Sequence, residues 1–314
     1  MANPNTVPQV SIVIPAYNHG AYLARAIESV LAQNYRNLEL IVLDDGSTDD
    51  TPKVLARYGD RFHWETHVNM GQAATLNKGW RMACGEILGY LSADDWLLPG
   101  AVARMVTALL ARPGALVAYC DFQLVDPRGT PIRRVRAAEF SLDAMLLDLA
   151  CPPGPGALFR RSAFERAGGW NPELRLMADF DFWLRLARYG EFVHVTEPLA
   201  AWRVHPSSQS FAAVSEERAG EPVRIVRAFF NLPELEPHVA ALARRSLARA
   251  YLVCGQFHAR SSRYQAAARS VSAACKAHPL VLLKPATWRL IANALISQPA
   301  HRLLWAARTL RKVR

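Results

Sequence analysis

Residues 89–95 read Gly-Tyr-Leu-Ser-Ala-Asp-Asp, an apolar run that ends in two adjacent carboxylates, Asp94 and Asp95. The apolar part is typical of a buried strand, whereas two neighbouring like charges repel each other and become more costly when they are buried. Open α/β sheets bind their ligands in the crevice outside the carboxyl ends of the strands. A carboxylate pair at that position suits a divalent cation held against a phosphate, which indicates an enzyme.

The sequence around this segment alternates strand and helix patterns. Strands are predicted over five segments, 10–14, 38–43, 62–66, 87–91 and 115–125. Helices are predicted between them, beginning near residues 20, 71 and 99. Ser47 is predicted to cap a further helix, with Asp50 completing a capping box. This order predicts an α/β fold with a mostly parallel sheet flanked by helices.

The pattern changes after residue 133. A strand is predicted at 157–160, a helix at 179–189, two short strands at 192–195 and 199–204, and helices only beyond about residue 214, among them 242–253 and 264–274. Residues 1–214 carry 20 Lys or Arg and 22 Asp or Glu, a net charge of −2, whereas residues 215–314 carry 17 and 5, a net charge of +12. The split predicts two regions with different partners.

The composition is that of an ordinary globular protein, because 51% of the 314 residues are apolar and 20% are charged. The first nine residues are polar, so no secretory signal is expected. No apolar run reaches the length of about 20 residues that spans a bilayer. The five cysteines are scattered and odd in number, which favours reduced, buried thiols of a cytosolic protein.

Three predicted strands end in polar or conformationally special residues: Pro15-Ala16-Tyr17-Asn18, Asp44-Asp45-Gly46-Ser47 and Ser92-Ala93-Asp94-Asp95. In a parallel sheet these ends lie on one edge and can form one pocket. Tyr17 can stack on a base, Asp45 can accept from a base N–H group, and Gly46 lets the backbone approach a ligand. A single Asp-Gly-Ser is more often a turn with a helix cap, but three such ends in succession favour a binding pocket.

Seven motifs in this order strongly resemble glycosyltransferase family 2 of the GT-A fold: SIVIPAYN (11–18), LIVLDDGSTD (40–49), NMG (69–71), LSADD (91–95), GGW (168–170), MADFDFW (177–183) and WRVH (202–205). The resemblance covers about residues 9–210. Members of this family are typically inverting enzymes that use a nucleotide-diphosphate sugar and a divalent metal. The resemblance implies a GT-A catalytic domain over residues 1–212 and a basic helical region over residues 213–314.

The resemblance also implies a donor-binding set around the three strand ends: Pro15, Ala16, Tyr17, Asn18, Asp45, Gly46, Gly71, Asn77, Lys78, Ser92 and Ala93. Asp94, the last acid of the family's Asp-x-Asp motif, is the implied main metal ligand, with Asp95 in support. Ser92 stands where the family has its first acid, and a hydroxyl can hold a ribose or a metal-bound water instead.

His205 lies in the segment that matches the family's Arg-x-His, which implies a further metal ligand. The expected ion is Mn²⁺ or Mg²⁺, and imidazole suits Mn²⁺ better than Mg²⁺. The alternative interpretation is that this histidine, which precedes a proline, is a structural loop residue.

Inversion requires a base opposite the leaving group, which takes the proton of the acceptor hydroxyl. Asp179 matches the family's base position and stands near a predicted helix start, where the helix dipole would keep it ionised. Asp181 is the second candidate and is more typical of a residue that braces a loop. The alternative role for Asp179 is a helix cap, and Ala178 replaces the Glu that the family more often has.

The motifs together predict transfer of a sugar from a nucleotide-diphosphate sugar to a glycan or lipid-linked glycan, with inversion, in cell-surface polysaccharide synthesis. A sugar-phosphate nucleotidyltransferase and a dinucleotide-dependent oxidoreductase are disfavoured, because no glycine-rich phosphate loop follows the first strand. The replacements at Ser92 and Ala178 leave one alternative, a catalytically impaired nucleotide-sugar-binding or scaffold protein.

The basic C-terminal region allows three interpretations. Its last predicted helices carry aromatic and basic side chains that suit an anionic membrane surface: Trp288, Arg289, Arg302, Trp305, Arg308, Arg311, Lys312 and Arg314. The same helices can equally pack on the catalytic domain and expose a solvated basic face. Nucleic-acid binding is the weakest interpretation, since no recognised motif accompanies the charge. The expected location is the cytoplasm, either free or peripheral on the cytoplasmic face of the inner membrane.

Overall fold

A computed structural model of the protein describes residues 7–205, 213–283 and 287–288. The described residues form two compact units. The first holds residues 7–142 and 151–205, and the second holds residues 143–150 together with the described residues from 213 onward. The domain boundary predicted at residue 212 adjoins residues outside the described ranges and stays a prediction.

Within residues 7–205 the first unit is built on one sheet of nine strands. They are β1 (Val10–Ala16), β2 (Leu38–Asp44), β3 (His63–Thr66), β4 (Ile87–Tyr90), β5 (Trp96–Leu97), β6 (Ala115–Val125), β7 (Pro131–Val135), β8 (Leu158–Arg160) and β9 (Glu191–Arg203). The strand order is β3-β2-β1-β4-β8-β6-β9-β5, with β7 paired to β6. Strands β1 to β4 are mutually parallel, β9 is parallel to β6, and β5, β7 and β8 pair antiparallel. The predicted mostly parallel α/β sheet is confirmed.

Helices connect these strands. Up to residue 205 they are α1 (Gly20–Leu31), α2 (Thr51–Ala56), α3 (Gln72–Met82), α4 (Ala101–Ala111), α5 (Leu142–Asp148), α6 (Arg161–Ala167) and α7 (Ala178–Leu186). The predicted apolar face of α1 is confirmed, because Leu23, Ile27 and Val30 are fully buried. All seven side chains of β1 are buried, as expected for a strand between parallel neighbours in a covered sheet.

Pro15 does not end the first strand. Its partner across the β1–β2 ladder is Leu43, whereas pairing with β4 stops at Val13. A proline, which lacks a backbone N–H, is tolerated where one neighbouring strand has already diverged. The strand therefore runs to Ala16, one residue past the proline, and carries the following loop to the edge of the sheet.

The capping box predicted at Ser47 and Asp50 is wrong. Helix α2 begins at Thr51, and Asp50 at its N-cap position makes no side-chain capping hydrogen bond. The Ser47 hydroxyl instead accepts from the backbone N–H of Asn18 at 2.8 Å. The serine ties two loops together, a use that local pattern alone does not reveal.

The two short strands predicted at 192–195 and 199–204 are one strand, β9. Its parallel pairing with β6 shifts register where Asp121 lies opposite Pro198. The irregularity accommodates the proline inside a long strand, so the sequence interruption does not separate two elements. Because β9 is one long strand, it ends at Arg203, which contacts both Asp94 and Asp95.

Asp121 is a buried carboxylate on β6 that joins three strands. It accepts from Arg134 of β7 at 2.7 Å, from the backbone of Ala137 at 3.1 Å, and lies 2.8 Å from Nε2 of His194 on β9. The other ring nitrogen of His194 lies 2.9 Å from Glu139. Burial alone would raise the pKa of Asp121, but the hydrogen bonds from Arg134, His194 and Ala137 outweigh it and lower that pKa below its ordinary value.

The described part of the second unit is helical. Besides α5 it holds α8 (Glu216–Ala219), α9 (Glu221–Phe230), α10 (Pro237–Ala240), α11 (Ala243–Arg260), α12 (Tyr264–Ala277) and a 3₁₀ helix, Pro279–Leu283. The predicted helices at 242–253 and 264–274 are confirmed as α11 and α12. Small residues, among them Ala250 and Cys254, pack this unit's interior.

Among the described residues no helix is long and apolar enough to cross a membrane. Of the tail residues named above, Trp288 is described and is 57% exposed, and the others lie outside the described residues. All five cysteines are free thiols. The expectation that they are buried is wrong for Cys84 and Cys151, which are exposed.

Replacing Asp121 with Asn should lower the free energy of unfolding by about 1–3 kcal/mol at pH 7, because a fully buried carboxylate that accepts from Arg134 and Ala137 and contacts His194 loses its charge and one acceptor oxygen. Since the folded pKa of Asp121 is depressed, its contribution is present above the ordinary value of 3.8 and is lost as the pH falls through the folded pKa. Urea unfolding followed by tryptophan fluorescence, at pH 7 and at the lowest pH where the wild type stays folded, measures both effects. The exposed control Asp60→Asn should change the stability by less than about 0.5 kcal/mol. Equal stability of Asp121→Asn and wild type at pH 7 would contradict this account.

Candidate functional site

The ends of β1 and β2 close around Asp45. Its backbone N–H donates to the carbonyl of Ala16 at 2.8 Å. Its carboxylate, in a residue only 3% exposed, accepts from the backbone of Met70 at 2.6 Å and of Gly71 at 2.9 Å. The side chain predicted to face a base therefore uses both oxygens to hold the loop before α3 against the sheet edge.

The loop after β1 is fastened to the loop after β2. Asn18 has a positive φ of 54°, and its side-chain oxygen accepts from the backbone of Thr48 at 2.8 Å. Next to it, the ring of Tyr17 is 47% exposed, which leaves a face for a planar ligand. Pro15 and Ala16 are buried in the sheet. Of the predicted residues here, Tyr17 and Asn18 are exposed, and the Asn18 side chain is engaged with Thr48.

Glycines shape the same edge. Gly46 has φ +73°, and a Cβ built on it would lie 2.9 Å from the backbone nitrogen of Asn69. Gly71, with φ +88°, stands at the start of α3, and a Cβ there would overlap the guanidinium of Arg175. Gly46 therefore requires glycine for both its positive φ and the nearby loop backbone. At Gly71 the positive φ is the stronger requirement, because the exposed Arg175 side chain can move.

Asn77 and Lys78 of α3 make contacts away from this edge. Asn77 is 8% exposed, and its amide donates to the carbonyl of Trp170 at 2.7 Å while accepting from the same residue's N–H at 2.8 Å. A Cβ on Gly169 would overlap the Asn77 side chain, which explains the glycine before Trp170. Lys78 forms an ion pair with Glu65 of β3. In this structure both predicted donor-binding residues brace neighbouring segments.

Asp94 and His205 come together although 111 positions separate them. The Nε2 atom of His205 lies 2.9 Å from Oδ2 of Asp94, with side-chain exposures of 2% and 15%. A ring nitrogen of His19, from the loop after β1, completes a group whose three ligand atoms lie within 4.8 Å of one another. The structure therefore places two of the three predicted metal ligands in one cluster.

Asp95 faces a different partner from Asp94. Its carboxyl group accepts from the backbone N–H of Arg203 at 2.9 Å, and its own N–H donates to the carbonyl of Ser92 at 3.0 Å. Burial first, and then the neighbouring charge of Asp94, raise the pKa of Asp95 well above its ordinary value. Ala93 between them is 2% exposed and packs in the core. The adjacent acids thus differ in their contacts.

Arg203 holds this segment from the end of β9. Its Nε donates to the Asp94 carbonyl at 2.9 Å and a terminal nitrogen donates to the Pro127 carbonyl at 2.8 Å. The guanidinium carbon also lies 4.5 Å from the ring centre of Tyr22 and 4.9 Å from that of Trp96. This buried cation is satisfied by carbonyl groups and aromatic faces.

The predicted base candidates lie in the first turn of α7. Asp179 is partly buried, and its Oδ1 accepts from the backbone of Phe180 at 2.7 Å. Burial first, and then the negative charge of Asp179, raise the pKa of Tyr90 well above its ordinary value. Asp181 instead binds Arg185, whose Nε lies 2.9 Å away.

Arg185 connects Asp181 to the loop before Trp170. It donates to the carbonyl of Ala167 and, at 2.7 Å, to that of Gly169. Asp181 is therefore part of a brace, whereas the charge of Asp179 acts on Tyr90 at the end of β4. Tyr90 lies in the segment 89–95 that ends in the two carboxylates. The effect of Asp179 on its pKa could not be predicted from the sequence, because it depends on where α7 packs against the sheet.

His19 is the residue that sequence reasoning should have found. It follows Tyr17 and Asn18 directly at the carboxyl end of β1, the position that singled out those two residues. Arg203 lies inside the predicted WRVH motif, but its role as a clamp requires knowing where β9 ends. Arg175 carries no local signal at all, since its partner Gly71 lies more than a hundred residues earlier.

The donor set of Asp94 and His205 fits a divalent cation. A carboxylate oxygen suits Mg²⁺ and Mn²⁺, and an imidazole nitrogen suits first-row transition metals. Their position at the carboxyl ends of parallel strands leaves the crevice beyond them for a ligand. Asp94 and His205 are therefore the residues that would hold the cation, and the metal site expected from the sequence stays a prediction.

The protein family, relatives and solved structure that are similar to this chain are all glycosyltransferases or polysaccharide synthases. The profile of Glycosyl transferase family 2 matches residues 11–168. An uncharacterized glycosyltransferase of Rickettsia typhi is 31% identical over 216 residues, 67% of this chain and 68% of that protein. The hyaluronan synthase of Pasteurella multocida is 32% identical over 197 residues, 62% of this chain and 20% of that protein. A mannosyltransferase of Pyrobaculum calidifontis, solved with GDP-Man and Mn²⁺, has a similar fold, with a TM-score of 0.60, 18% identity, and coverage of 96% of this chain and 88% of that one.

The close approach at Gly46 gives a test of the site's framework. Gly46→Ala should lower the free energy of unfolding by about 2–3 kcal/mol, since it combines an unfavourable positive φ with a backbone clash. Gly100→Ala is a matched control, because Gly100 has φ +78° and nothing lies within 4 Å of a Cβ built there. It should lose about 1–2 kcal/mol from backbone strain alone. Urea unfolding measures both, and equal losses would argue against a tight contact between Gly46 and the loop at Asn69.

Proposed function

The chain belongs to glycosyltransferase family 2, and from this membership we propose that it transfers a sugar from a nucleotide-diphosphate sugar to a glycan or lipid-linked glycan, with inversion at the anomeric carbon. The predicted GT-A fold is confirmed by the likeness to the mannosyltransferase. The observation that carries the proposal is the meeting of Asp94 and His205 at the sheet edge, from motifs far apart in the sequence. A mere turn at Asp94 would not need a buried histidine beside it.

The nucleoside of the donor is proposed to bind between the loops after β1 and β2. Tyr17 offers an exposed ring for stacking, and Gly46 lets the loop after β2 pack closely against the backbone at Asn69. Asn18 and Asp45 serve this pocket by fixing its loops, as their hydrogen bonds to Thr48 and Gly71 indicate. A pocket built mainly from backbone suits a rigid planar base.

The diphosphate is proposed to lie beside Asp94 and His205, which would hold the divalent ion. When bound, such an ion neutralises the diphosphate and so makes it a better leaving group. The ion expected from the sequence is Mn²⁺ or Mg²⁺, and the mannosyltransferase with a similar fold was solved with Mn²⁺. The Ser92 hydroxyl and the exposed Arg175 guanidinium above Gly71 are further polar groups for the donor's ribose and phosphates.

Asp179 is proposed as the general base. It takes the proton of the acceptor hydroxyl while that oxygen bonds to the anomeric carbon, and the bond from this carbon to the donor phosphate oxygen breaks. Its position in the first turn of α7 favours the ionised form that a base requires. Asp181, committed to Arg185, keeps the loop before Trp170 in place rather than taking part in the reaction.

A growing polysaccharide is the proposed acceptor class. The support is the similarity to the hyaluronan synthase of Pasteurella multocida, although the aligned part makes up only 20% of that enzyme. The residue departures at Ser92 and Ala178 support one alternative, a nucleotide-sugar-binding or scaffold protein without turnover. Donor hydrolysis in the presence of Mn²⁺, assayed over a panel of nucleotide sugars, separates the two, because a scaffold would bind a donor and leave it intact.

We further propose that the enzyme works in the cytoplasm, on the cytoplasmic face of the inner membrane, near a lipid-linked acceptor. The support is the net charge of +12 in residues 215–314 and the aromatic and basic residues of the tail. Anionic lipids attract basic segments of this kind, and no nucleic-acid partner is proposed.

Replacing Asp179 with Asn should lower the turnover number by about 100- to 10,000-fold, because the acceptor hydroxyl loses its proton acceptor. Donor affinity, measured by calorimetry, should stay within about twofold of the wild type, since the donor leaves from the opposite face. The comparison variant Asp181→Asn should instead lower the melting temperature, because it breaks a buried ion pair. Turnover close to the wild type in Asp179→Asn would rule this aspartate out as the base.

Membrane docking can be tested on the full chain by charge reversal. Changing Arg308, Arg311 and Lys312 to Glu should weaken binding to phosphatidylglycerol vesicles by about a hundredfold, at about 1 kcal/mol for each basic side chain. The control variant changes Arg57, Arg112 and Arg133 to Glu, which alters the net charge equally. Vesicle flotation with phosphatidylcholine as the neutral reference measures both, and equal loss in the two variants would point to net charge rather than to the tail.

A further inference from the structure

His19 stands where three parts of the chain meet. It ends the loop after β1, Asp94 follows β4, and His205 follows β9. One ligand atom from each of these residues lies within 4.8 Å of the other two. Among the described residues, this is the one group of three or more His, Cys, Asp or Glu side chains close enough to hold a metal ion.

The backbone of His19 is fixed on both sides. Its N–H donates to the hydroxyl of Thr51 at 3.1 Å, and its carbonyl accepts from Tyr22 and Leu23, both at 2.9 Å, at the start of α1. Its ring meets that of His205 nearly edge-on, with centroids 6.2 Å apart and an angle of 80°. Tyr22 packs against the His205 ring at 5.0 Å. The two imidazoles are therefore held in place from opposite loops.

One ring nitrogen of His19, Nδ1, is buried without a hydrogen-bond partner among the described residues. Burying such an atom without a partner costs roughly 1–3 kcal/mol, so persistent orphans call for a ligand or a functional reason. A cation bound by the cluster supplies that reason. Either Nδ1 of His19 coordinates the metal, or the other ring nitrogen does and so fixes which nitrogen carries the proton.

We propose that His19 is the third protein ligand of the cation site, and that the site consequently prefers Mn²⁺ to Mg²⁺. Two imidazoles and one carboxylate favour a first-row transition metal, whereas Mg²⁺ strongly prefers oxygen ligands. Three protein ligands leave positions for oxygens of a diphosphate. The inference takes the diphosphate from the proposed function, but cation binding itself can be measured without any sugar transfer.

The site also compensates for Ser92. The resemblance to the family implied a first acid at that position, and its absence removes one oxygen ligand. His19 supplies the missing ligand from a different strand end and changes its chemistry from oxygen to nitrogen. The site thus has three protein ligands, His19, Asp94 and His205, and the exchange of an oxygen ligand for a nitrogen ligand shifts its preference from Mg²⁺ to Mn²⁺.

The decisive experiment titrates the full-length protein with Mn²⁺ and follows the free ion by electron paramagnetic resonance, with and without uridine or guanosine diphosphate. His19→Gln should weaken Mn²⁺ binding by at least about tenfold, because even outer-shell changes have effects of this size. Competition with Mg²⁺ should show a similar fall in the Mn²⁺ preference. The exposed His238, at 65% side-chain exposure, gives the matched control His238→Gln, which should bind as the wild type does.

Pulsed electron paramagnetic resonance identifies the ligand directly. Wild-type protein should show ¹⁴N modulation from coordinated imidazole, and His19→Gln should show it reduced but still present through His205. A second variant, His19→Asp, restores an oxygen ligand and should regain binding with a lower Mn²⁺ to Mg²⁺ ratio. Circular dichroism and the melting temperature show whether each variant is folded.

Two results would overturn the inference. One is wild-type Mn²⁺ affinity and unchanged ¹⁴N modulation in folded His19→Gln, which would reduce His19 to a packing residue. The other is absence of Mn²⁺ binding to the wild type at millimolar concentration even with nucleotide, which would make the cluster a hydrogen-bonded contact between Asp94 and His205. A metal-loaded protein that transfers no sugar would instead contradict the proposed function and leave this site standing.

Discussion

The contact of Arg203 with the Asp94–Asp95 segment determines the geometry of the whole site. A buried guanidinium must be satisfied in full, and here backbone carbonyls at Asp94 and Pro127 accept from it while aromatic rings cover its faces. Because the arginine is the last residue of β9, its contacts hold the end of that strand against the end of β4. His205 follows two residues later and therefore reaches Asp94.

This clamp also explains how two adjacent carboxylates are tolerated at the end of a buried strand. Asp95 turns toward the backbone of Arg203, and burial together with the charge of Asp94 raises its pKa well above the ordinary value. The cost of placing two negative charges side by side therefore falls on Asp95, whose carboxyl group the backbone of Arg203 stabilises. Asp94 is left free of that constraint and faces the histidines. The pair first suggested a two-ligand clamp, whereas the contacts separate a supporting acid from one that faces the crevice.

How much the sequence could predict depends on whether a feature is local. The parallel core, from β1 to β4 with α1 and α3, follows from hydrophobic periodicity, and the strand-end rule brought Tyr17, Asp45 and Asp94 to one edge. The features that failed were set by distant partners. Ser47 looks like a helix cap but binds Asn18, and Pro198 looks like a strand break but lies in a register shift opposite Asp121. The two-residue strand β5 and the roles of Tyr90 and Arg175 likewise depend on contacts that no local window contains.

The family motifs are, in physical terms, pairs of contacts. The loop after β1 binds the loop after β2, Asp45 binds the backbone before α3, Asn77 binds Trp170, and Asp94 meets His205. A change in one member of such a pair leaves a buried polar group without its partner, which is more costly than losing the bond itself. Among the described residues, Ser92 enters this network through its backbone carbonyl, which accepts from the N–H of Asp95. A serine can therefore replace an acid there without breaking these hydrogen bonds. The replacement changes the set of side chains available to a bound cation and leaves the fold unchanged.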